Sequence, residues 1–431
     1  MQDISEAPNR VERAFLVGLQ HPGETHSEPV DHMLAELREL LRTLGIGTVG
    51  SMTVDLSRPR PRFLVGSGKA RQIIEAARDA KADVIVFDDP LSPAQQRNWE
   101  NSADITVIDR QEVILDIFAE RASTKEAELQ IALARSTYEL PRLKRRWTHL
   151  SRQRGMSGGM GLRGEGEQQI EVDARLVQRR IGRLRKQLEE VRRKREVQRK
   201  KRLKRPLPNA AIVGYTNAGK SALLNALTGA RVLIEDKLFA TLDPTTRRLV
   251  LPNQQELLVS DTVGFIRKLP HLLVEAFKAT LEEAVLADFI IEVIDATSPD
   301  REYHHRTTQE VLRELGAGNK NMITVFNKID LVDDPRLAPR LRRRFERPLF
   351  LSAVTGEGLG LLQERLAEEL QDEIVQMTLS IPHSRYELVA KLHRSGHIHR
   401  QKATDDGLEI EAAVPFDLVG PLSEFRVREP E

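Results

Sequence analysis

The chain has 431 residues, 30% of them charged, with a net charge of +2 at pH 7 and no cysteine. This length exceeds what one hydrophobic core supports and predicts roughly three domains. The absence of cysteine excludes disulfides and thiolate metal sites, and it agrees with a reducing compartment. No segment is apolar over the roughly 20 residues of a membrane helix, and the N-terminus has no signal-peptide pattern, so we expect a cytoplasmic protein without a membrane span.

Residues 1–120 alternate short apolar segments with amphipathic segments. This alternation predicts a small N-terminal α/β domain. VGSGKA at positions 65–70 imitates a phosphate-binding loop but lacks a second glycine at the right spacing, so we expect Ser67 and Gly68 to begin a helix. Strands are predicted at Phe15 to Gly18, Ile46 to Thr53, Phe63 to Val65, Val84 to Asp88 and Ile105 to Ile108, and helices at Val30 to Leu44, at Lys69 to Ala80 and after Ser92.

Residues 121–205 predict two helices joined by a glycine-rich tip. Helical periodicity extends from Ser123 to Leu150 and again from about Gln168 to Arg205, with six glycines from Gly155 to Gly166. An apolar stripe on the second helix is expected to pair it with the first and so form a helical hairpin. The stripe consists of Leu176, Val177, Ile181, Leu184, Leu188 and Val191.

The predicted hairpin is strongly basic. Between Ala174 and Arg205 there are 16 Lys or Arg residues against three Glu. A charge run of mixed sign is usually a solvated surface, but the dominance of one sign favours binding to a nucleic-acid phosphate backbone. Trp147 and His149 near the tip could stack on bases, although core packing accounts for Trp147 at least as well. The opposite arm of the hairpin adds Arg142, Lys144, Arg145, Arg146, Arg152 and Arg154.

Residues 206–373 contain five short motifs in the order of a Ras-like P-loop GTPase domain. The first, GYTNAGKS, follows an apolar run, which predicts a strand, a phosphate-binding loop and a helix. Gly214 and Gly219 allow the tight turn whose N–H groups face the phosphates. Lys220 is predicted to bridge the β and γ phosphates, and the Ser221 hydroxyl to ligate Mg²⁺.

Three further motifs follow predicted strands. In DTVGF, the Asp261 carboxylate is expected to hold Mg²⁺ through a water, and the Gly264 N–H to contact the γ phosphate. In NKID, the Asp330 carboxylate can accept both N1–H and the exocyclic amino group of guanine, whereas adenine offers neither donor. A buried carboxylate there would select GTP over ATP. SAVTG, from Ser352, supplies the loop over the guanine O6.

The remaining motif, FATLDPTT, places Thr241 where a mobile segment must reach Mg²⁺ with a hydroxyl and the γ phosphate with an N–H. A lone loop threonine is usually only a solvated hydroxyl, so the support for Thr241 is its position. Lys220, Thr241 and Gly264 are therefore the predicted catalytic residues. The predicted nucleotide contacts are Gly214, Tyr215, Thr216, Asn217, Ala218, Gly219, Lys220, Ser221, Phe239, Ala240, Thr241, Leu242, Asp243, Asp261, Thr262, Val263, Gly264, Asn327, Lys328, Ile329, Asp330, Ser352, Ala353 and Val354.

Two residues tune this prediction. Phe265 stands where Ras-type switches carry the glutamine that orients the attacking water. We therefore expect slow intrinsic hydrolysis, with the alignment supplied by a partner, a monovalent cation or a rearranged switch. Asn217 resembles the asparagine of potassium-assisted GTPases, whose amide oxygen helps to hold K⁺, but asparagine also caps turns for local reasons.

Residues 374–431 predict a small C-terminal α+β domain. Strands are expected at Leu379 to Ile381, Ile398 to Ala403 and Leu408 to Val414, with a helix at Tyr386 to His393. The whole chain is thus predicted to be a multidomain α/β protein: an N-terminal α/β domain, a long helical hairpin, a central P-loop GTPase domain and this C-terminal domain.

The motifs together resemble the HflX family of translational GTPases over nearly the whole chain. The resemblance rests on LSPAQQRNWE at Leu91, IDRQEVILDIFAERA at Ile108 and GGMGLRGEGE at Gly158, and on the GTPase motifs. It implies a GTPase that binds the large (50S) ribosomal subunit, directs its helical arm at the peptidyl-transferase centre and splits stalled ribosomes under stress. Some members also hydrolyse ATP through the N-terminal region. Glu165 departs from the pattern, in which proline is expected, so the tip should be less rigid.

Two other classes stay open on the sequence alone. A non-enzymatic RNA-binding or ribosome-assembly scaffold would hold its nucleotide as a structural ligand, without multiple-turnover hydrolysis stimulated by ribosomes. An RNA-modifying GTPase would need an additional nucleophile, and the lack of cysteine weakens that hypothesis. The expected partners are GTP or GDP, Mg²⁺ with K⁺ as a second candidate ion, and ribosomal RNA, with the protein a monomer in solution.

Overall fold

A computed structural model describes residues 12–21, 30–146, 165–202, 207–229, 238–239, 242, 244–268, 283–371, 374–404 and 406–427. Three sheets lie within these ranges, which confirms the multidomain α/β prediction. The domain boundaries after residues 120, 205 and 373 stay predictions. The predictions for Trp147, His149, Arg152, Arg154, Ala240, Thr241 and Asp243 lie outside the described residues.

The N-terminal sheet has four parallel strands in the order β2-β1-β3-β4. The chain runs outward from β1 to β2 on one side and from β3 to β4 on the other, so the order reverses between β1 and β3, as in doubly wound sheets. The strands are β1 (Arg13–Gln20), β2 (Gly47–Asp55), β3 (Val84–Phe87) and β4 (Thr106–Asp109), and the helices are α1 (Val30–Thr43), α2 (Ser67–Asp79), α3 (Pro93–Ala103) and α4 (Arg110–Arg121).

The predicted strand at positions 63–65 is wrong. Phe63 and Val65 form only an isolated bridge outside the sheet, and so do Arg60 and Leu64. Leu64, in the middle of this segment, has φ +64°, which interrupts the extended backbone that a strand requires. The expectation for VGSGKA is confirmed, because α2 begins at Ser67.

Two long helices follow, α5 (Lys125–Arg146) and α6 (Glu165–Arg202). Leu184 and Leu188 are buried against Leu129 of α5, as the apolar stripe predicts. The predicted stripe also includes Leu176, but this residue is 51% exposed. At 100° per residue it lies about 100° around the helix from the mean direction of the other stripe residues, so it cannot face α5 with them.

Arg142 does not belong to the RNA-facing surface predicted for it. Its Nε donates to Gln96 Oε1 at 2.8 Å, and a terminal nitrogen donates to the Leu91 carbonyl at 3.0 Å. Its guanidinium also lies 3.4 Å from the centre of the Tyr138 ring. These contacts fasten α5 to the N-terminal sheet domain.

The central sheet has six strands in the order β10-β9-β8-β5-β7-β6, and only the β6–β7 pair is antiparallel. The parallel strands bring their carboxyl ends to one edge, where the sequence motifs follow them. The strands are β5 (Asn209–Gly214), β6 (Thr245–Val250), β7 (Glu256–Asp261), β8 (Phe289–Asp295), β9 (Asn321–Asn327) and β10 (Leu349–Phe350), and the helices are α7 (Lys220–Thr228), α8 (Arg301–Glu314), α9 (Leu337–Arg342) and α10 (Leu359–Gln371).

The C-terminal sheet is antiparallel, in the order β11-β13-β12, and has its own apolar core. Its elements are β11 (Ile374–Pro382), α11 (Tyr386–Ser395), β12 (His397–Thr404), β13 (Gly407–Pro415) and α12 (Phe416–Leu422). By contrast, one continuous cluster of buried apolar side chains joins the N-terminal and central sheets. None of the helices described here has an apolar stretch long enough to cross a membrane.

Candidate nucleotide-binding site

The phosphate-binding loop connects β5 to α7 and requires glycine at both ends. Gly214 has φ +145°, and a Cβ there would lie 2.2 Å from the Val293 carbonyl oxygen. Gly219 has φ +90°, and a Cβ there would lie 2.3 Å from Asn327 Nδ2. Both backbone conformations are costly for residues with a side chain. The loop is therefore held by its neighbours in the shape that exposes the N-terminus of α7.

Lys220 begins α7 and is buried, with 6% of its surface exposed. Its Nζ donates to the Tyr215 carbonyl at 2.9 Å, so the side chain lies over the loop. Burial lowers the pKa of Lys220 to about 8, and the Asp261 carboxylate opposes that shift. An anionic ligand in the loop would remove this cost of burying a cation.

Ser221 and Asp261 meet at the tips of α7 and β7. The Ser221 hydroxyl donates to Asp261 Oδ2 at 2.6 Å, and Asp261 is fully buried. A hydroxyl and a carboxylate oxygen beside a phosphate loop form a donor set that suits Mg²⁺, which prefers oxygen ligands and shares them with substrate phosphates. Thr216 Oγ1, on the same loop, is buried without a hydrogen-bond partner among the described residues. These residues fit a magnesium nucleotide.

At the opposite end of the site, Asn327 ties two loops together. Its Nδ2 donates to the Ala218 carbonyl at 2.9 Å, and its Oδ1 accepts from the Ala353 N–H at 3.0 Å. Ser352 is fully buried, and its hydroxyl accepts from the Thr355 N–H at 3.1 Å. The side-chain amide of Asn327 thus links the NKID motif to the phosphate-binding loop on one side and to the SAVTG loop on the other.

Lys328 and Asp330 complete the guanine end. Lys328 has φ +64°, and its Nζ pairs with Asp295 Oδ2 at 2.7 Å. Asp330 lies in the short 3₁₀ helix Ile329–Leu331, and its side chain is exposed. Val354 is 84% exposed in the adjoining loop. Because both flank an open edge, a base bound there would cover them.

Gly264 lies directly beside Lys220. A Cβ at this position would lie 2.9 Å from Lys220 Nζ and 2.9 Å from the Thr216 Cα. Only glycine lets the backbone pass so close to both groups. Phe265, the next residue, is 1% exposed and points into the core. Its N–H donates to the Gly214 carbonyl at 3.0 Å, and its carbonyl accepts from the Thr216 N–H at 2.8 Å.

Three residues predicted as nucleotide contacts have side chains that turn away from the loop. Tyr215 is buried, and its hydroxyl donates to Glu36 Oε1 at 2.6 Å, so only its backbone lines the loop. The Phe239 ring packs edge-on against Phe118 at 4.5 Å between ring centres. Leu242 is buried in the same cluster of apolar side chains. Asn217 is exposed in the loop with φ +59°, which fits either of its predicted roles.

A buried ionic network that the sequence did not reveal adjoins the site. Arg110 is 1% exposed and pairs with Asp88 at 2.8 Å and with Glu36 at 2.9 Å. Lys268, four residues after Gly264, pairs with the same Asp88 at 2.9 Å. The network therefore joins the N-terminal sheet to the chain that follows Gly264. The family motif IDRQE contains Arg110, but its partners are distant in sequence, and no local pattern reveals them.

Comparison with known proteins identifies the family. The chain is 48% identical to "GTPase HflX" of Akkermansia muciniphila over 99% of both chains, and 43% identical to "GTPase HflX" of Escherichia coli over 87% of both. This chain belongs to the HflX GTPase family. The resemblance seen in the motifs is thereby confirmed, and so is the prediction of a P-loop enzyme that hydrolyses GTP.

Family models match three successive parts of the chain. They are described as "GTP-binding GTPase N-terminal" at residues 31–119, "GTP-binding GTPase Middle Region" at 121–202 and "50S ribosome-binding GTPase" at 209–328. A solved GTP-binding protein from Sulfolobus solfataricus in complex with GDP is 26% identical and covers 83% of this chain and 98% of its own, with a TM-score of 0.42.

Proposed function

We propose that this HflX GTPase binds RNA of the large ribosomal subunit in its GTP-bound state, and that it splits stalled ribosomes under stress. The observation that carries the proposal is the cationic surface of α6. Its eight described, exposed cations are Arg175, Arg179, Arg180, Arg183, Arg185, Lys186, Arg193 and Lys194. These cations outnumber the two described, exposed acidic residues of the same helix, Glu189 and Glu190, and a predominantly cationic helix surface suits a phosphate backbone. The printed description of the matched central model, a 50S ribosome-binding GTPase, supports the same partner.

In the proposed site, Lys220 holds the β and γ phosphates, and the Gly264 N–H stabilises charge that develops on the γ phosphoryl group as water attacks. Ser221, Asp261 and Thr241 would hold Mg²⁺, which neutralises phosphate charge when bound. Phe265 cannot orient the attacking water, because it is buried in the core. We infer that the ribosome supplies this alignment, with K⁺ on Asn217 as a further contributor.

The contacts of the site with the N-terminal domain support a coupling between nucleotide and RNA. Tyr215 from the phosphate loop and Arg267 from the chain after Gly264 both approach Glu36, and the Arg267 N–H donates to the Tyr215 hydroxyl at 2.8 Å. Movement of either segment on hydrolysis would disturb this contact, and α5 continues from the same domain into the hairpin. Hydrolysis would then lower the affinity for RNA.

The decisive experiment is co-sedimentation with 50S subunits in the presence of a non-hydrolysable GTP analogue or GDP. Lys220→Ala is expected to abolish the difference between the two nucleotides, because the lysine contacts the terminal phosphate. Lys402→Ala, which removes an exposed lysine of β12, is the matched control and should keep that difference. Equal sedimentation of the unmodified protein with and without the analogue would refute the coupling. Light scattering of 70S particles with GTP then tests splitting.

The alternative is a scaffold for which the nucleotide is structural. It predicts at most one GTP hydrolysed per protein, with no stimulation by ribosomes. The arrangement of Lys220, Ser221 and Asp261 around one loop favours turnover instead. We further propose that the protein acts as a monomer in the cytoplasm, where ribosomes lie, and that hydrolysis of ATP by the N-terminal region is a separate activity to be assayed on its own.

A further inference from the structure

An exposed arginine-rich loop lies between β2 and α2 of the N-terminal domain. From Leu56 to Ile74 the chain has five cations and no acidic residue. Arg58, Arg60 and Arg62 alternate with prolines and are all exposed. Among the described residues, none of these three arginines has an acidic partner within ion-pair distance. Lys69 and Arg71, in the first turns of α2, are also exposed.

The loop is locked into a turn by its own backbone. The Arg60 N–H donates to the Leu64 carbonyl at 2.8 Å, and the Leu64 N–H donates back to the Arg60 carbonyl at 2.9 Å. Leu64 has φ +64°, a conformation that a leucine adopts only when its surroundings impose it. The turn therefore has a defined shape despite its exposure.

Side chains of α3 donate hydrogen bonds to the backbone of the same turn. Gln95 Nε2 donates to the Arg60 carbonyl at 3.0 Å, and Asn98 Nδ2 donates to the Arg62 carbonyl at 2.9 Å. Trp99 Nε1 donates to the Phe63 carbonyl at 3.0 Å. All three donors belong to the motif LSPAQQRNWE, which has no part in the nucleotide site. Three side chains of α3 thus fix the carbonyls of Arg60, Arg62 and Phe63, while the side chains of Arg58, Arg60 and Arg62 stay exposed.

We propose that residues 57–62 form a second RNA-binding surface, whose arginines contact the phosphate backbone of ribosomal RNA. This proposal rests on the proposed function and adds a site on the N-terminal domain, separate from the hairpin. Guanidinium groups bind phosphate through two parallel N–H bonds, which requires a fixed approach direction. A loop already held by α3 loses little backbone entropy on binding, so its arginines gain more net affinity than those of a floppy tail.

Three exposed arginines of the central domain differ from these. Arg340 pairs with Asp334, Arg344 with Glu302 and Arg347 with Glu368, so their charge is already neutralised locally. An acidic protein segment would suit unpaired arginines as well, but the same chain presents its largest cationic face on α6, which favours one continuous polyanion as the partner of both.

The test compares two triple variants for binding to 50S subunits with a GTP analogue, over a range of salt concentrations. Replacing Arg58, Arg60 and Arg62 by alanine is expected to raise Kd at least about tenfold near 0.15 M salt, and to reduce the slope of log Kd against log salt by about 2, since each lost phosphate contact removes about 0.7 to 0.9. Replacing Arg340, Arg344 and Arg347 removes the same formal charge and should change both much less. Intrinsic GTP hydrolysis, measured without ribosomes, reports that each variant is folded.

The outcomes separate the two proposals. If the unmodified protein fails to bind 50S subunits, the proposed function fails, and this loop proposal fails with it. If the unmodified protein binds but the two triple variants weaken binding equally, the loop is not a specific surface and only the loop proposal is overturned. Gln95→Ala combined with Asn98→Ala keeps all three arginines but frees the turn. That variant should bind more weakly with a nearly unchanged salt slope, and unchanged affinity would contradict the role of α3.

Discussion

At the scale of single residues, Phe265 has a structural role at a motif position where other GTPases carry a catalytic side chain. The position follows DTVG, where a polar side chain could orient water, yet here the ring is buried and its backbone is bonded to Gly214 and Thr216 on both sides. The residue holds the chain after Gly264 against the phosphate loop. Phe265 thus lacks a polar group that could orient water, and the same residue makes a structural contact with the phosphate-binding loop.

Phe265→Gln is therefore expected not to accelerate hydrolysis. The amide would enter an apolar core without a partner, which costs about 2 to 4 kcal/mol of stability. Phe265→Leu, which stays apolar, should cost only about 1 kcal/mol. Denaturant unfolding and single-turnover hydrolysis of GTP measure the two effects. A Gln variant with undiminished stability and a higher rate would show that the side chain faces the nucleotide.

Asp330 is the residue on which base selection depends in our reading of the site. Asp330→Asn should weaken GTP binding by about a hundredfold, because an amide cannot accept both guanine donors. It should strengthen binding of xanthosine triphosphate, which offers an acceptor where guanine has its amino group. Fluorescence titration with both nucleotides measures this, with the exposed neighbour Asp333→Asn as the control of equal charge change. Retained discrimination against ATP and xanthosine triphosphate would refute the assignment.

At the scale of elements, the start of the hairpin depends on a cluster of polar groups between α3, α4 and α5. The Tyr138 hydroxyl donates to Asp109 Oδ1 at 2.9 Å, and Gln96 Nε2 donates to Glu112 Oε2 at 3.3 Å. Burial, and then repulsion from Asp109 and Asp116, raises the pKa of Glu112 to about 7. The anchor of α5 therefore contains a carboxyl group that titrates near neutral pH.

Glu112 makes stability depend on pH in a defined direction. Its pKa is higher in the folded protein than in the unfolded chain, so the stability it contributes is full below about pH 4.5 and is lost as pH rises through about 7. Glu112→Gln removes the titration, and its stability relative to the unmodified protein should rise by roughly 2 to 3 kcal/mol from pH 5 to pH 8. Thermal unfolding at both pH values measures this. Glu120→Gln, an exposed change on α4, should show no such trend.

At the scale of the whole molecule, the N-terminal and central sheets share one core, whereas the C-terminal sheet has a separate one. The contact of Phe118 with Phe239 lies at the joint, beside the ionic network of Arg110, Asp88 and Lys268. Apolar burial and a desolvated ion network thus couple the nucleotide-binding half to the half that leads into the hairpin. This shared core resists independent movement of the N-terminal and central sheets.

Phe118→Ala is expected to destabilise both coupled sheets together, by about 3 to 5 kcal/mol, because it opens a cavity in their common core. Amide hydrogen exchange should accelerate in β3 and in β8 alike, while β11 to β13 keep their protection. Leu392→Ala, in the core of the C-terminal domain, should give the reverse pattern. Faster exchange confined to the N-terminal sheet would show that the two cores act separately.

The sequence by itself determined the elements and the composition of the nucleotide site. Glycines at the ends of a loop, a lysine and a serine at a helix start, and carboxylates at strand ends form recognisable patterns, because each motif needs particular residue types at short spacing. It also determined the basic character of the hairpin. Leu176 was the exception in the apolar stripe, because its angle around the helix axis turns it away from α5. Positions 63–65 are apolar but form no strand of the sheet, because Leu64 has the left-handed φ of +64°.

Only the tertiary structure decided which side chains leave the site and which residues join it. Tyr215 and Phe239 lie in nucleotide-binding motifs but turn towards Glu36 and Phe118, more than 100 residues away in sequence. Arg142 belongs to a basic run, but its guanidinium donates hydrogen bonds to Gln96 and to the Leu91 carbonyl. Burial and ion pairing depend on which distant segments pack against each other, and the local composition of a segment does not show its distant partners.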